Sequence, residues 1–158
     1  MGQRSAALAE QFEQAVADFA KEIEACPDAK WSATTGEGWS VAATAQHVAG
    51  QFPLEMEFIT AGAEGRPLPT YDWDYVNGKN DGRAAKEMTV TKEHVLKTLR
   101  DGSASTAAYI RGLSDQQLDN KAPLALANGA EVTTEQLILG GVLIDHVRGH
   151  LKSIQAAG

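Results

Sequence analysis

Cysteine is nearly absent from this chain: Cys26 stands alone among 158 residues, so no internal disulfide can form. That pattern predicts a reducing, cytoplasmic setting. Cys26 itself reads as an idle thiol, because Glu24 and Asp28 nearby disfavour a thiolate. Positive charge is scarce as well. Fourteen Lys and Arg against 21 Asp and Glu leave a formal net charge of -7, which lacks the basic footprint that nucleic-acid binding requires. Long hydrophobic runs are missing. No segment approaches the ~20 apolar residues of a membrane span, and "MGQRSAALAEQFEQAVADFA" lacks the unbroken apolar stretch of a signal peptide. Neither a nucleic-acid nor a membrane partner is expected.

What the chain has is helical periodicity, over a length that predicts one domain, 1–158. Leu8, Phe12, Val16, Phe19 and Ile23 recur at helical intervals until Pro27 ends the pattern. A second helix starts after "GEGWS", with Ser40 as N-cap and Val41, Val48, Phe52 and Ile59 on one face; Pro53 is expected to bend it. A third runs from Thr89 or Thr91 to Gly112, with Val95, Leu96, Leu99, Thr106, Ile110 and Leu113 inward. Ser114 and Gln117 then form a capping box over a short turn of helix. A second capping box, Thr133 with Gln136, opens a fourth helix that continues to about Gln155. No strand pattern competes, and "PLALANGAEVT" reads as a loop despite its Asn-Gly. The fold class that follows is all-α, a four-helix bundle. Between the second and third helices, Glu64 to Met88 forms a long connection with no strong pattern, of the kind that serves as a crossover or a functional loop.

Four histidines sort by direction when each residue turns ~100° about its helix axis. His94 falls beside Lys97 and Asp101, away from the apolar face, and should meet water. His47 points with Leu54 and Phe58, and His150 lies within the apolar stripe of the fourth helix with His146 at its edge. His146 and His150 form H-V-R-G-H, an i, i+4 pair able to bring two imidazoles to one cation, without the glutamate of the H-E-x-x-H proteases. A hydrogen-bonded polar cluster is the alternative reading of the same residues.

Topology brings in the third histidine. His47 lies roughly 10 Å from the start of its helix, and the pair lies near the end of the fourth. They share a level only if those helices are antiparallel, as in an up-down-down-up bundle with a long crossover between helices two and three. The chain has its long connection there.

The segment "GEGWSVAATAQHVAG", followed about 100 residues later by "DHVRGHL", resembles the DinB-like, or YfiT-like, superfamily of metal-binding four-helix bundles. The resemblance covers nearly the whole chain and implies an up-down-down-up bundle, a divalent metal on His47, His146 and His150, and a homodimer. Characterised branches use a low-molecular-weight thiol such as bacillithiol or mycothiol, as S-transferases or as a mycothiol-dependent maleylpyruvate isomerase. The separate C-terminal region of those isomerases is absent from this sequence.

Three neutral imidazoles leave a coordination position open, the arrangement of a catalytic zinc site, and zinc or nickel suits such ligands. A small-molecule substrate is expected, and the leading reading is transfer of a thiol cosubstrate to a small electrophile. A metal-dependent hydrolase, and a bundle that binds metal or a small ligand without chemistry, are the alternatives. Gln51 and Glu55 follow His47 at four-residue steps and are pocket candidates. In "YDWDYVNGKN", Tyr71, Trp73 and Tyr75 can cover a pocket while Asn77 and Asn80 bond a ligand, or the aromatics simply anchor the crossover. Trp39 is expected to pack, and Asp145 projects to solvent. The sequence assigns no catalytic residue.

Overall fold

Pro27 stops the first helix, α1 (Gln3–Ala25), and a single turn, α2 (Asp28–Trp31), follows it in the computed structural model, which describes residues 2–87 and 89–158. The second bundle helix comes in two pieces, α3 (Val41–Gly50) and α4 (Phe52–Ala63). Ser40 caps α3 through its hydroxyl, which accepts from the Ala43 amide. The break falls at Gln51, because Pro53 has no N–H to continue the ladder and its ring crowds the preceding turn.

The connection expected to lack pattern carries a helix, α5 (Trp73–Lys86), capped by Asp72, whose carboxylate accepts from the Tyr75 amide. Only 64–72 and the stretch after Lys86 are irregular, and Met88, the end of the expected crossover, lies outside the described residues. The third bundle helix is α6 (Lys92–Arg111), capped by Thr91. Both capping boxes form, on α7 (Asp115–Asp119) and on α8 (Thr134–Leu139). Between them the expected loop is a hairpin, β1 (Lys121–Leu124) with β2 (Ala130–Thr133), in register from Lys121 opposite Thr133 to Leu124 opposite Ala130. Asn128 at φ 56° and Gly129 at φ 82° close it, the left-handed pair that Asn-Gly supplies at least cost. The last helix is also interrupted. After α8 the chain turns through 140–143 before α9 (Ile144–Ala156), because adjacent Gly140 and Gly141 each cost about 1 kcal/mol in a helix interior relative to Ala.

Contacts between helix ends fix the directions. The Lys92 ammonium donates to the Cys26 carbonyl, and Ser5 Oγ donates to the Arg111 carbonyl at 3.2 Å, so α6 runs antiparallel to α1. Lys30 Nζ reaches the Gln155 carbonyl at 3.4 Å, so α9 runs parallel to α1. Asn120, just past α7, donates to the Ala63 carbonyl at 3.0 Å, and Arg4 pairs with neighbouring Asp119 at 2.8 Å. The end of α4 therefore lies at the start of α1, and the bundle is up-down-down-up. α1 packs on α6 and α9, and α3 packs on the same two helices from the opposite corner.

Phe12, Phe19, Ile23, Val48, Phe52, Ile59, Leu99, Ile110, Val147 and Ile154 fill the core. Phe12 meets Phe52 edge to face, with ring centroids 5.5 Å apart. Every residue from Val41 to Ala49 is buried. Ala42, Ala43, Ala45 and Ala49 let neighbouring backbones close around α3, so His47 enters the interior on a rigid, tightly held element. No helix among the described residues is long and apolar enough to cross a membrane. Cys26 is buried, and that burial raises its thiol pKa, in keeping with an idle thiol.

Candidate metal centre

His47 from α3 and the pair His146 and His150 from α9 converge, each offering a ring nitrogen, with those atoms all within 4.8 Å of one another. His47 Nε2 lies 2.9 Å from His146 Nε2, which lies 3.1 Å from His150 Nε2. His47 is buried and the other two are half-buried. His94 is exposed and takes no part.

Two carboxylates stand behind the rings. His150 Nδ1 lies 2.9 Å from Glu37 Oε1, an oxygen that also accepts from Ser153 Oγ at 2.8 Å. His146 Nδ1 lies 2.6 Å from Glu55 Oε1. That second contact is close but off the hydrogen-bond axis, and neither Glu55 oxygen has an aligned donor among the described residues. Glu55 is wholly buried. Burial raises its pKa and the His146 ring pulls it back. Glu37 titrates below the usual carboxylate range despite an opposing desolvation, because Ser153, Thr35 and its own backbone stabilise the charged form.

Glu37 reaches the site from a tight turn before α3. The Thr35 amide donates to the Trp39 carbonyl at 2.8 Å, and Gly38 takes φ 84°, a conformation that suits glycine. The turn also sets Trp39, whose indole meets the His47 ring at 5.2 Å and stacks on His150 at 6.2 Å. Trp39 Nε1 donates to Asp81 Oδ1 at 2.9 Å, tying α5 over the site. Trp39 thus packs against the site histidines themselves.

The electrostatics favour neutral rings. Burial and the neighbouring imidazoles push the His47 pKa down to about 2 and that of His150 down to about 4. With Glu37 ionised, His150 Nδ1 carries the donated hydrogen, so Nε2 of the neutral ring is a bare acceptor. Glu55 favours the same tautomer of His146 when it is ionised. The two Nε2 lone pairs then face each other at 3.1 Å, a repulsive arrangement that a cation between them relieves. Three imidazole nitrogens on one zinc ion sit roughly 3.3–3.4 Å apart, so His146 needs to part from each of its two neighbours by only a few tenths of an ångström. The donor set therefore fits a divalent ion of the zinc or nickel type.

A cavity of about 490 Å³ opens over the histidines. Gln51, Glu55, Asn77 and Asn80 are among the residues that line it. Tyr75 is not. On α5 the residues Trp73, Val76, Asn77, Asn80 and Asp81 border the cavity, with Trp73 itself 55% exposed, whereas Tyr75 lies off that side and stacks on Tyr71 at 4.9 Å. Asp145 is exposed, and Glu37 and Glu55 take the carboxylate role that it could have played. Sequence reasoning passed over Glu37 although it sits in "GEGWS", two residues before Trp39. Its weak signal was a charged residue between two glycines at a helix entrance.

No curated protein sequence matches the chain. YfiT from Bacillus subtilis, described as a probable metal-dependent hydrolase with an unusual four-helix bundle topology, superposes with a TM-score of 0.76 at 18% identity, covering 98% of this chain and 86% of that one. A mycothiol-dependent maleylpyruvate isomerase superposes with a TM-score of 0.72 at 13% identity, covering 99% of this chain and 64% of its own length. ClbS, a colibactin self-resistance protein solved with a double-stranded DNA, gives 0.67 at 16% identity, covering 94% and 93% of the two chains. At these identities the likeness is one of fold. The sequence model of the DinB superfamily matches residues 11–154, and the chain belongs to that superfamily.

Proposed function

We propose that this protein is a divalent-metal-dependent enzyme that transfers a low-molecular-weight thiol to a small electrophile. The observation that carries the metal dependence is the meeting of three Nε2 atoms whose rings are backed by Glu37 and Glu55. His47, His146 and His150 would hold zinc or nickel, and the two carboxylates would orient the rings and match the charge of the ion. The ion would supply Lewis acidity at an open position, lowering the pKa of a thiol presented there.

The residues around the histidines favour thiol transfer over hydrolysis. Hydrolysis calls for a general base beside the reacting water; Glu37 is engaged by His150 Nδ1 and Ser153, which leaves Glu55 as the one carboxylate beside the histidines for that role. Thiol transfer asks the protein mainly to position two molecules and exclude water. Trp39, Leu54, Phe58, Trp73 and Val142 provide an apolar enclosure for that purpose. In the transfer, the sulfur forms a bond to the electrophilic carbon, the leaving group departs with its electron pair, and the thiol proton passes to solvent. Hydrolysis stands as the second reading, supported by the description of YfiT.

The test is a transfer assay on zinc- and nickel-loaded protein, with mycothiol, a thiol without a carboxylate, and a neutral haloalkyl fluorophore. Metal-dependent conjugation that disappears in His146→Ala is the expected result. No conjugation with mycothiol, beside metal-dependent cleavage of an ester or amide, would overturn transfer in favour of hydrolysis.

A further inference from the structure

The charge lining the cavity bears on which molecules can enter it. Its charged residues are Glu37, Glu55 and Asp81, and neither lysine nor arginine is among the lining residues. Arg83 stands behind this wall: one guanidinium nitrogen donates to Oε1 of the lining residue Gln51 at 3.1 Å, another lies 3.7 Å from Glu87, and its charge acts on His47. Asp81 accepts from the Trp39 indole and has no ion-pair partner among the described residues. Asn77 and Asn80 add neutral amides, and the rest of the wall is largely apolar, including both indoles. A divalent ion on the histidines is met by three carboxyl side chains, of which Glu55 is held toward its neutral form by burial. A dicarboxylate or phosphate ester would enter against like charge and find no guanidinium or ammonium to receive it.

We propose that the cavity accepts compact apolar molecules without negative charge, and best an aryl-alkyl amine whose ammonium sits at Asp81 while its body lies on the indole-lined wall. This deepens the enzymatic reading and rests on it in one respect, that the cavity over the histidines is the substrate site. The volume suits such a ligand, since small-molecule sites commonly span roughly 300–1,000 Å³. Asp81 then acts as a specificity determinant at the exposed rim, beside the Trp39 indole that it accepts from.

The test uses the metal-free full chain, because a carboxylate could otherwise ligate the ion directly. Three molecules of similar shape, 2-phenylethylamine, 2-phenylethanol and 3-phenylpropionate, are titrated near pH 7 while tryptophan fluorescence reports on Trp39 and Trp73. The amine should bind about tenfold tighter than the carboxylate, with the alcohol between them, and added salt should narrow the gap. Asp81→Asn, shown by circular dichroism to keep its helices, should reduce the preference several-fold. Equal or tighter binding of 3-phenylpropionate, no saturable binding of any probe, or an unchanged preference in Asp81→Asn would each overturn the proposal. Failure of metal binding would leave this selectivity intact, so the two readings fail separately.

Discussion

Glu55 Oε1 lies 2.6 Å from His146 Nδ1, inside the bundle and 91 positions away in sequence, with the carboxylate wholly buried. An isolated buried carboxylate is costly, and here its close partner is one imidazole whose other nitrogen faces two histidines. The relationship makes sense if positive charge resides on the far side of that ring.

Glu55→Gln keeps the shape of the side chain and removes its charge. Metal affinity measured by chelator competition should fall about tenfold, in line with other carboxylates that back metal-binding histidines. The metal-free variant should melt no lower than the parent, since a buried amide is cheaper than a buried carboxylate. Unchanged affinity would show that the charge is not felt at Nε2.

The pH dependence of the metal-free protein follows from His47 and His150. Their folded pKa values, about 2 and about 4, lie below the value of 6.5 expected in the unfolded chain. Between those limits the unfolded chain binds more protons, so stability falls as pH drops below 6.5. Glu55, whose pKa is raised, opposes this as one group against two. A net loss of up to about 1.4 kcal/mol per pH unit is expected from denaturant unfolding at about pH 7 and about pH 5.5. Stability that rises toward pH 5.5 would contradict neutral, buried rings.

Much of this arrangement was legible in the sequence because helical periodicity records burial. His47, His146 and His150 sit where their helix faces place them, and the long connection supplies the crossover that antiparallel second and fourth helices need. The helix in the crossover was hidden by Asn77, Gly78, Asn80 and Gly82, weak helix formers held by tertiary contacts such as the bond from Trp73 Nε1 to the Leu126 carbonyl. Glu37 was illegible for a different reason. Its position depends on a turn, and turns carry no periodic signal.

Ser40→Ala removes the side-chain cap on α3, two turns before His47. The loss should be about 1 kcal/mol, lowering the melting temperature by roughly 2–4 °C in a chain of this size. Metal stoichiometry should be unchanged, because packing around the buried alanines of α3 still holds the helix. Calorimetry and elemental analysis of the same sample check both statements.

The most direct test of the three-histidine centre is metal content per chain, measured on protein purified without a metal-affinity tag and then equilibrated with zinc or nickel. One equivalent in the parent, lost in both His47→Ala and His146→Ala, is the predicted result. No stoichiometric metal in the parent, or full retention in either variant, would contradict it.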